Sequence, residues 1–173
     1  MNENKINFFA ENVIFEHPGK KIGKDEIDEI DDFPGKKDFI KFYNAHNGGD
    51  FTYGAWFIPE DCYNIFKNGE EPYITLEFFL PIPVDNDCTD DDIIGLNMEV
   101  VKDIIVEKYS AFEDFVLFHI PFAMDVTGNP FWIDIQSGEI KYTDFQKSQI
   151  PDDAMTVAFS FKDFCNCIRK RSI

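Results

Sequence analysis

FVLFHIPFAMDVTGNPFWIDIQSGEIKYTDF, residues Phe115–Phe145, is the stretch that decides the fold. It reads as two or three antiparallel strands with turns at Asp125–Asn129 and Ser137–Gly138. From Phe131 onward the residues alternate: Phe131, Ile133 and Ile135 point one way, Trp132, Asp134 and Gln136 the other. Ile140 and Tyr142 alternate with Lys141 and Thr143 in the same manner. Ser-Gly is a poorer two-residue turn than Asn-Gly, because serine resists a positive φ at the first position. The apolar face must therefore select the register. Pairing Ile135 with Ile140 and Ile133 with Tyr142 keeps that face apolar and sets Asp134 opposite Lys141. The loop holds two residues or four, with the same pairing in either case.

Upstream of this hairpin, Asn97 is an N-cap signal for a helix through about Lys108, with Val101, Ile104 and Ile105 facing the sheet. Tyr73–Ile82 and Phe51–Pro59 read as strands, the second containing Trp56. Phe39, Phe42, Tyr43 and His46 fall at i, i+3, i+4 and i+7, one buried helical stripe that Asn47-Gly48-Gly49 stops. His46 is expected to cap or pack there. Before it, KDEIDEIDDFPG places six carboxylates in the eight residues Asp25–Asp32. Ile27 and Ile30 share a face with Phe33 or Pro34 at its end, giving a short acidic amphipathic helix. Gly19–Gly23 is a basic loop, and Lys5–Glu16 is too irregular to assign. Downstream, Ser160 is the N-cap of a closing helix, with Asp163 as the capping-box acid and Phe159 and Phe164 at the staple positions. Phe161, Phe164, Cys165 and Ile168 form its core stripe, and Arg169, Lys170 and Arg171 suit its negative end.

The chain's 173 residues are enough for one domain with a full core. Twenty phenylalanines allow that core to rest on aromatic packing. Sixteen basic against 33 acidic residues leave a net charge of −17. Such a surface repels nucleic acid and anionic membrane and attracts basic proteins. No run approaches the roughly 20 apolar residues of a membrane span, and the start lacks the basic and apolar regions of a signal peptide. A cytoplasmic location is expected. Cys62, Cys88, Cys165 and Cys167 show no framework spacing and are read as free thiols. Within a helix, only one of Cys165 and Cys167 would face the core.

Candidate chemistry is sparse. Nucleophile elbows, phosphate-binding loops and His-Glu-x-x-His are absent. The acidic loop Asp85–Asp92 fails the calcium-loop spacing, since position six from Asp85 is Asp90 rather than glycine. Neither metal nor cofactor is expected. Asp125 and Asp134 are the best carboxylate pair and could serve a carbohydrate- or phosphate-active enzyme if they converged. Against this, Asp125 opens a turn whose amides it can bind, and Asp134 has Lys141 opposite. Trp132 is either buried under a helix or an exposed anchor for a partner. Asp28, Asp31 and Asp32, with Asp85, Asp87, Asp90, Asp91 and Asp92, are the acidic candidates for contact with a basic partner.

Taken in order, these pieces resemble the SUKH superfamily, the Smi/Knr-like proteins. The resemblance rests on the acidic helix, on Phe33-Pro34 leading into a helix that ends Asn47-Gly48-Gly49, and on Ile120-Pro121-Phe122-Ala123 before an Asp/Gly turn. It continues through a strand ending at Asp134, the Ser137-Gly138-Glu139-Ile140 turn and Ser160-Phe161-x-Asp163-Phe164. Together they span about residues 24–168. What the resemblance implies is a single α+β domain, an antiparallel sheet flanked by helices, without enzymatic activity. Bacterial members of that kind neutralise a cognate polymorphic toxin by binding it, and the charge suits a basic toxin such as a nuclease. Fungal members imply the alternative, a regulatory scaffold acting through protein contacts.

Overall fold

In a computed structural model of the chain, the described residues are 6–8, 15–59, 73–84 and 95–171. Their backbone is α+β, with helices flanking a curled antiparallel sheet. The elements run α1 (Lys24–Glu29), α2 (Lys36–Ala45), β1 (Gly49–Phe57), β2 (Ile74–Phe79), α3 (Met98–Lys108), α4 (Glu113–Leu117), β3 (His119–Asp125), β4 (Pro130–Asp134), β5 (Ile140–Tyr142), β6 (Met155–Ala158), α5 (Phe161–Asn166) and β7 (Ile168–Lys170). The seven strands lie in the order β6-β5-β4-β3-β2-β1-β7. β1 to β6 are thus a meander, and β7 joins at the far edge beside β1.

That last connection forces the curl. Seven flat strands would set their outer edges about 29 Å apart, at roughly 4.8 Å per step. From Ala158 to Ile168 the chain contains a six-residue helix and a few extended residues. Their combined reach is only about 23 Å. The sheet bends so that α5 can pass from one edge to the other, and α5 fills the hollow. The Phe164 ring meets Phe57 of β1, Phe79 of β2, Phe122 of β3 and Phe131 of β4 at centroid separations of 4.6, 6.2, 4.9 and 5.0 Å. One side chain therefore touches four consecutive strands. Phe161 bridges the same hollow to Phe39 and Phe42 of α2. Each such phenylalanine contributes roughly 1.5–3 kcal/mol on burial, so aromatic packing dominates this side.

The closing helix is shorter than its sequence suggests. Ser160 does cap it, its hydroxyl oxygen accepting from the Asp163 amide at 3.1 Å. The hydroxyl also donates to the Asp163 carboxylate at 2.7 Å. Phe164 is buried while Phe159 stays half exposed. After Asn166 the chain turns extended as β7, with Trp56 opposite Arg169 and Phe57 opposite Ile168. Ile168-Arg169-Lys170 alternates as well for a strand as for a helix, and the unpaired edge of β1 decides between them. Leaving the helix also buries both Cys165 and Cys167, contrary to a strictly helical reading; both are free thiols.

The hairpin at the centre forms with a register two residues from the expected one. Phe131 faces Tyr142, Trp132 faces Lys141 and Ile133 faces Ile140. A slip of two leaves every side chain on its face, so hydrophobicity could not detect it. Its cause is polar. The Asp134 carboxylate accepts from the Gln136 and Ser137 amides at 2.8 and 3.1 Å, which turns the chain early and takes Ile135 out of the pairing. Lys141 then reaches Glu139 and Thr156 instead of Asp134. Ile133, Ile140 and Tyr142 are buried and Ile135 is half-buried.

The outer face of the sheet is covered at β3–β5 by α3, α4 and the turn between them. Asn97 caps α3, accepting from the Glu99 and Val100 amides at 3.0 Å each. Val101 and Ile105 are buried beneath it, whereas Ile104 is 43% exposed. Pro121, in a central strand, sits at the register shift between β3 and β4, the kind of position at which a strand tolerates proline.

Candidate partner-binding surface

Three polar clamps position the surface of this fold. Asn47 of the Asn-Gly-Gly stop is buried; its Nδ2 donates to the carbonyls of Lys20 and Ile82 at 2.7 and 3.0 Å, and its Oδ1 accepts from the Ile82 amide at 2.8 Å. The motif thus ties the 18–20 loop to the chain leaving β2, as well as ending α2. His46, half-buried beside it, packs on Phe15 and Phe42.

Asp125 makes the second clamp. Its buried carboxylate accepts from the Thr127 and Asn129 amides at 2.8 Å each, from the Thr127 hydroxyl, and from the Tyr142 hydroxyl at 2.7 Å. Burial, reinforced by the Asp125 charge, keeps the Tyr142 hydroxyl protonated far above the ordinary tyrosine range. Asn129 in turn accepts from the Phe145 amide at 3.0 Å.

Asp134 is the third, at the opposite end of β4. Burial opposes its charge, but the Ser137 and Gln136 amides outweigh that and hold its carboxyl below the ordinary range. His119 lies 3.9 Å away through Nε2, stacks on Phe115 at 3.7 Å and shares Nδ1 with the Phe115 carbonyl at 2.8 Å. Burial lowers the His119 pKa despite the raising effects of that carbonyl and of Asp134. Asp125 and Asp134 therefore sit at the two ends of β4, each committed to its own turn. They do not form a convergent pair.

The acidic candidates divide three ways. Asp28, on α1, and Asp31 and Asp32, after it, are exposed, as are Asp25 and Glu29. α1 presents them because Ile27 and Ile30 pack inward and Phe33 is buried against Phe39. The Gly23 amide donates to Glu26 at 2.7 Å and opens the helix. Lys36 anchors its far end, donating to the Ile30 carbonyl at 2.6 Å and lying 3.4 Å from Asp32. Asp85, Asp87, Asp90, Asp91 and Asp92 lie outside the described residues. Trp132 is fully buried: its indole N–H donates to the Thr143 hydroxyl at 3.0 Å, and its ring meets Phe115 edge-on. It offers a partner no surface, because α4 covers the outer face of β4.

A half-open cleft of about 370 Å³ lies between α3 and the β3–β4 turn, with Val101, Ile105, Met124 and Phe145 among its lining and Lys108 as the one charged residue that the described residues bring to it. Among the described residues it brings together neither carboxylates nor histidines. Among the described residues, no three His, Cys, Asp or Glu side chains are placed to hold a metal ion. No helix among them is long and apolar enough to cross a membrane.

Compared with protein-family models, curated proteins and solved structures, the chain has no match. The surface itself must supply the functional argument. One part of it escaped the sequence reading. On the outer face, beyond the cover of α3 and α4, Trp56 stacks on Tyr73 at 4.9 Å and 27°, and Trp56 pairs across to Arg169. β1 and β2 were each legible as strands, but the arrival of β7 was hidden inside an apparent helix.

Proposed function

We propose that this chain is a protein-binding module that works in the cytoplasm by occupying a basic partner, as the immunity proteins of the SUKH superfamily do. The observation that carries this reading is the outward array of Asp25, Asp28, Glu29, Asp31 and Asp32, fixed to the core through Ile27, Ile30 and Phe33. Opposite charge speeds encounter by about 10- to 1000-fold at low salt, and exposed carboxylates suit the phosphate-binding sites of nucleic-acid-cutting enzymes. The commitment of Asp125 and Asp134 to their turns also favours binding over acid–base chemistry.

The test pairs the chain with the product of a toxin-like gene next to its own. Binding and protection on co-expression are expected, and neither should survive unchanged in the triple variant Asp28→Asn, Asp31→Asn, Asp32→Asn. Its association rate should drop about tenfold and lose most of its salt dependence. Unaltered kinetics would remove α1 from the interface. A chain that neither binds nor protects would overturn the immunity reading.

A further inference from the structure

The outer face of the sheet at β7-β1-β2 has the chemistry of a second docking surface, opposite in sign to α1. Arg169, Trp56 and Thr75 form one cross-strand row on that face. Tyr73 stacks on Trp56 beside it. Arg171 follows Arg169 at the period-two spacing of a strand and so points the same way. Its side chain runs over Gly54, where a Cβ would lie 4.0 Å from Arg171 Cδ. Trp56, Tyr73 and Arg169 are half-buried, and Arg171, Lys170 and Tyr53 are exposed. Tryptophan, tyrosine and arginine are the residue types that dominate binding energy at protein interfaces.

Two further observations define the occupant. β7 ends the sheet, and among the described residues no strand pairs with its outer side. Apart from the Ile168 carbonyl, which already accepts from Arg169 Nη1, the outward backbone groups of this edge are of the kind that receive another extended segment. The three consecutive cations Arg169, Lys170 and Arg171 stand here in a chain with twice as many acids as bases. Arg169 is held in place, donating through Nη1 to the Asn166 and Ile168 carbonyls at 2.6 and 3.1 Å. A second copy of this chain is a poor occupant, because pairing β7 with β7 would set cation against cation. A polyphosphate strand meets the whole −17 charge and cannot pair with a strand edge. At physiological salt, screening over about 8 Å lets the local cations decide for a short ligand.

We infer that β7 and the adjoining Trp56–Tyr73 platform dock an extended acidic segment of a partner protein, added as an eighth strand with a carboxylate over Arg171. This surface is independent of α1, so either assignment can fail alone.

The probe is a capped octapeptide of alternating glutamate and valine, titrated into the full chain at physiological salt. Calorimetry gives affinity, and backbone amide NMR shifts give location. Saturable binding is expected, with the shifts concentrated on residues 168–171 and 53–57. The double variant Lys170→Glu, Arg171→Glu should weaken it at least about tenfold, while Trp56→Phe, which keeps a ring on the platform, should weaken it less. Unchanged circular dichroism would show that the variants fold. Equal binding of the matching lysine–valine peptide would overturn the inference. So would an undiminished affinity in the double variant, or shifts confined to the α3 cleft. Preferential binding of an oligothymidine would assign the platform to nucleic acid, and self-association that buries Trp56 would assign it to a second copy; either outcome refutes the acidic-segment reading.

Discussion

Gly138 of the β4–β5 turn packs directly on Pro34, the residue that links α1 to α2. A Cβ on Gly138 would collide with the Pro34 carbonyl oxygen and lie 2.9 Å from the Pro34 Cβ. Gly138 also has φ +75°, a left-handed conformation. The contact seats the Asp31–Asp32 end of the acidic segment against the central hairpin. Gly138→Ala should therefore cost more than its backbone strain. Gly128, at φ +83° with no neighbour near its Cβ position, provides the comparison. Urea unfolding should show Gly128→Ala destabilised by about 1–2 kcal/mol and Gly138→Ala by roughly 2–4 kcal/mol. Equal losses would mean that the Pro34 approach relaxes freely.

Asn47 holds three hydrogen bonds across two segments, the two to Ile82 buried. Asn47→Ala leaves the Ile82 amide and two carbonyls without that partner. A loss of roughly 2–3 kcal/mol is expected, together with faster hydrogen exchange at the Ile82 amide. An Ile82 amide as protected as in the parent chain would show that the clamp is redundant.

Folding lowers the pKa of His119, so the unfolded chain takes up that proton first. Its contribution is intact above the ordinary value of 6.5 and is lost as pH falls toward the folded value. Asp134, lowered by its turn amides, adds a loss of the same sign below 3.8. The urea midpoint should fall between about pH 7.5 and about pH 5.5. His119→Gln should flatten that change, and an unaltered slope would point to other groups.

Cys165 sits beneath the aromatic layer, and burial pushes its thiol well above the ordinary range, with the Asp38 charge adding to the effect. Cys165 and Cys167 should resist alkylation in the native chain and react in urea. Peptide mapping by mass spectrometry reads this directly; rapid native labelling of Cys165 would contradict its place in the core.

Phe164 meets four strands at once, so truncating it tests the curl of the sheet. Phe164→Ala should cost about 3–5 kcal/mol, and Phe159→Ala, at a half-exposed site, much less.

The readings that held share a local cause. Asn97 and Ser160 cap helices, Asp125 organises a turn, and the Phe39–Phe42–Tyr43 stripe is buried, because each depends on spacing within a few residues. The readings that moved depended on distant partners. The hairpin register turned on Asp134 choosing the Gln136 and Ser137 amides over Lys141, a choice that leaves the apolar faces unchanged. Of the two readings open for Trp132, α4 realises burial under a helix, since nothing in the alternation of β4 states which outer faces are covered. Ile104 stays partly exposed because α3 buries only the narrower stripe of Val101 and Ile105.

By itself, then, the sequence determined a central antiparallel hairpin with further strands and helices around it, a phenylalanine core and an exposed acidic segment, since hydrophobic period and capping act over short separations. Tertiary structure alone decided that Ile168–Lys170 is a strand: β1 had an open edge and α5 was too short to span a flat sheet. It also decided where the charges meet, placing Arg169 and Arg171 on the face of Trp56 and Tyr73 at one edge of an otherwise acidic molecule.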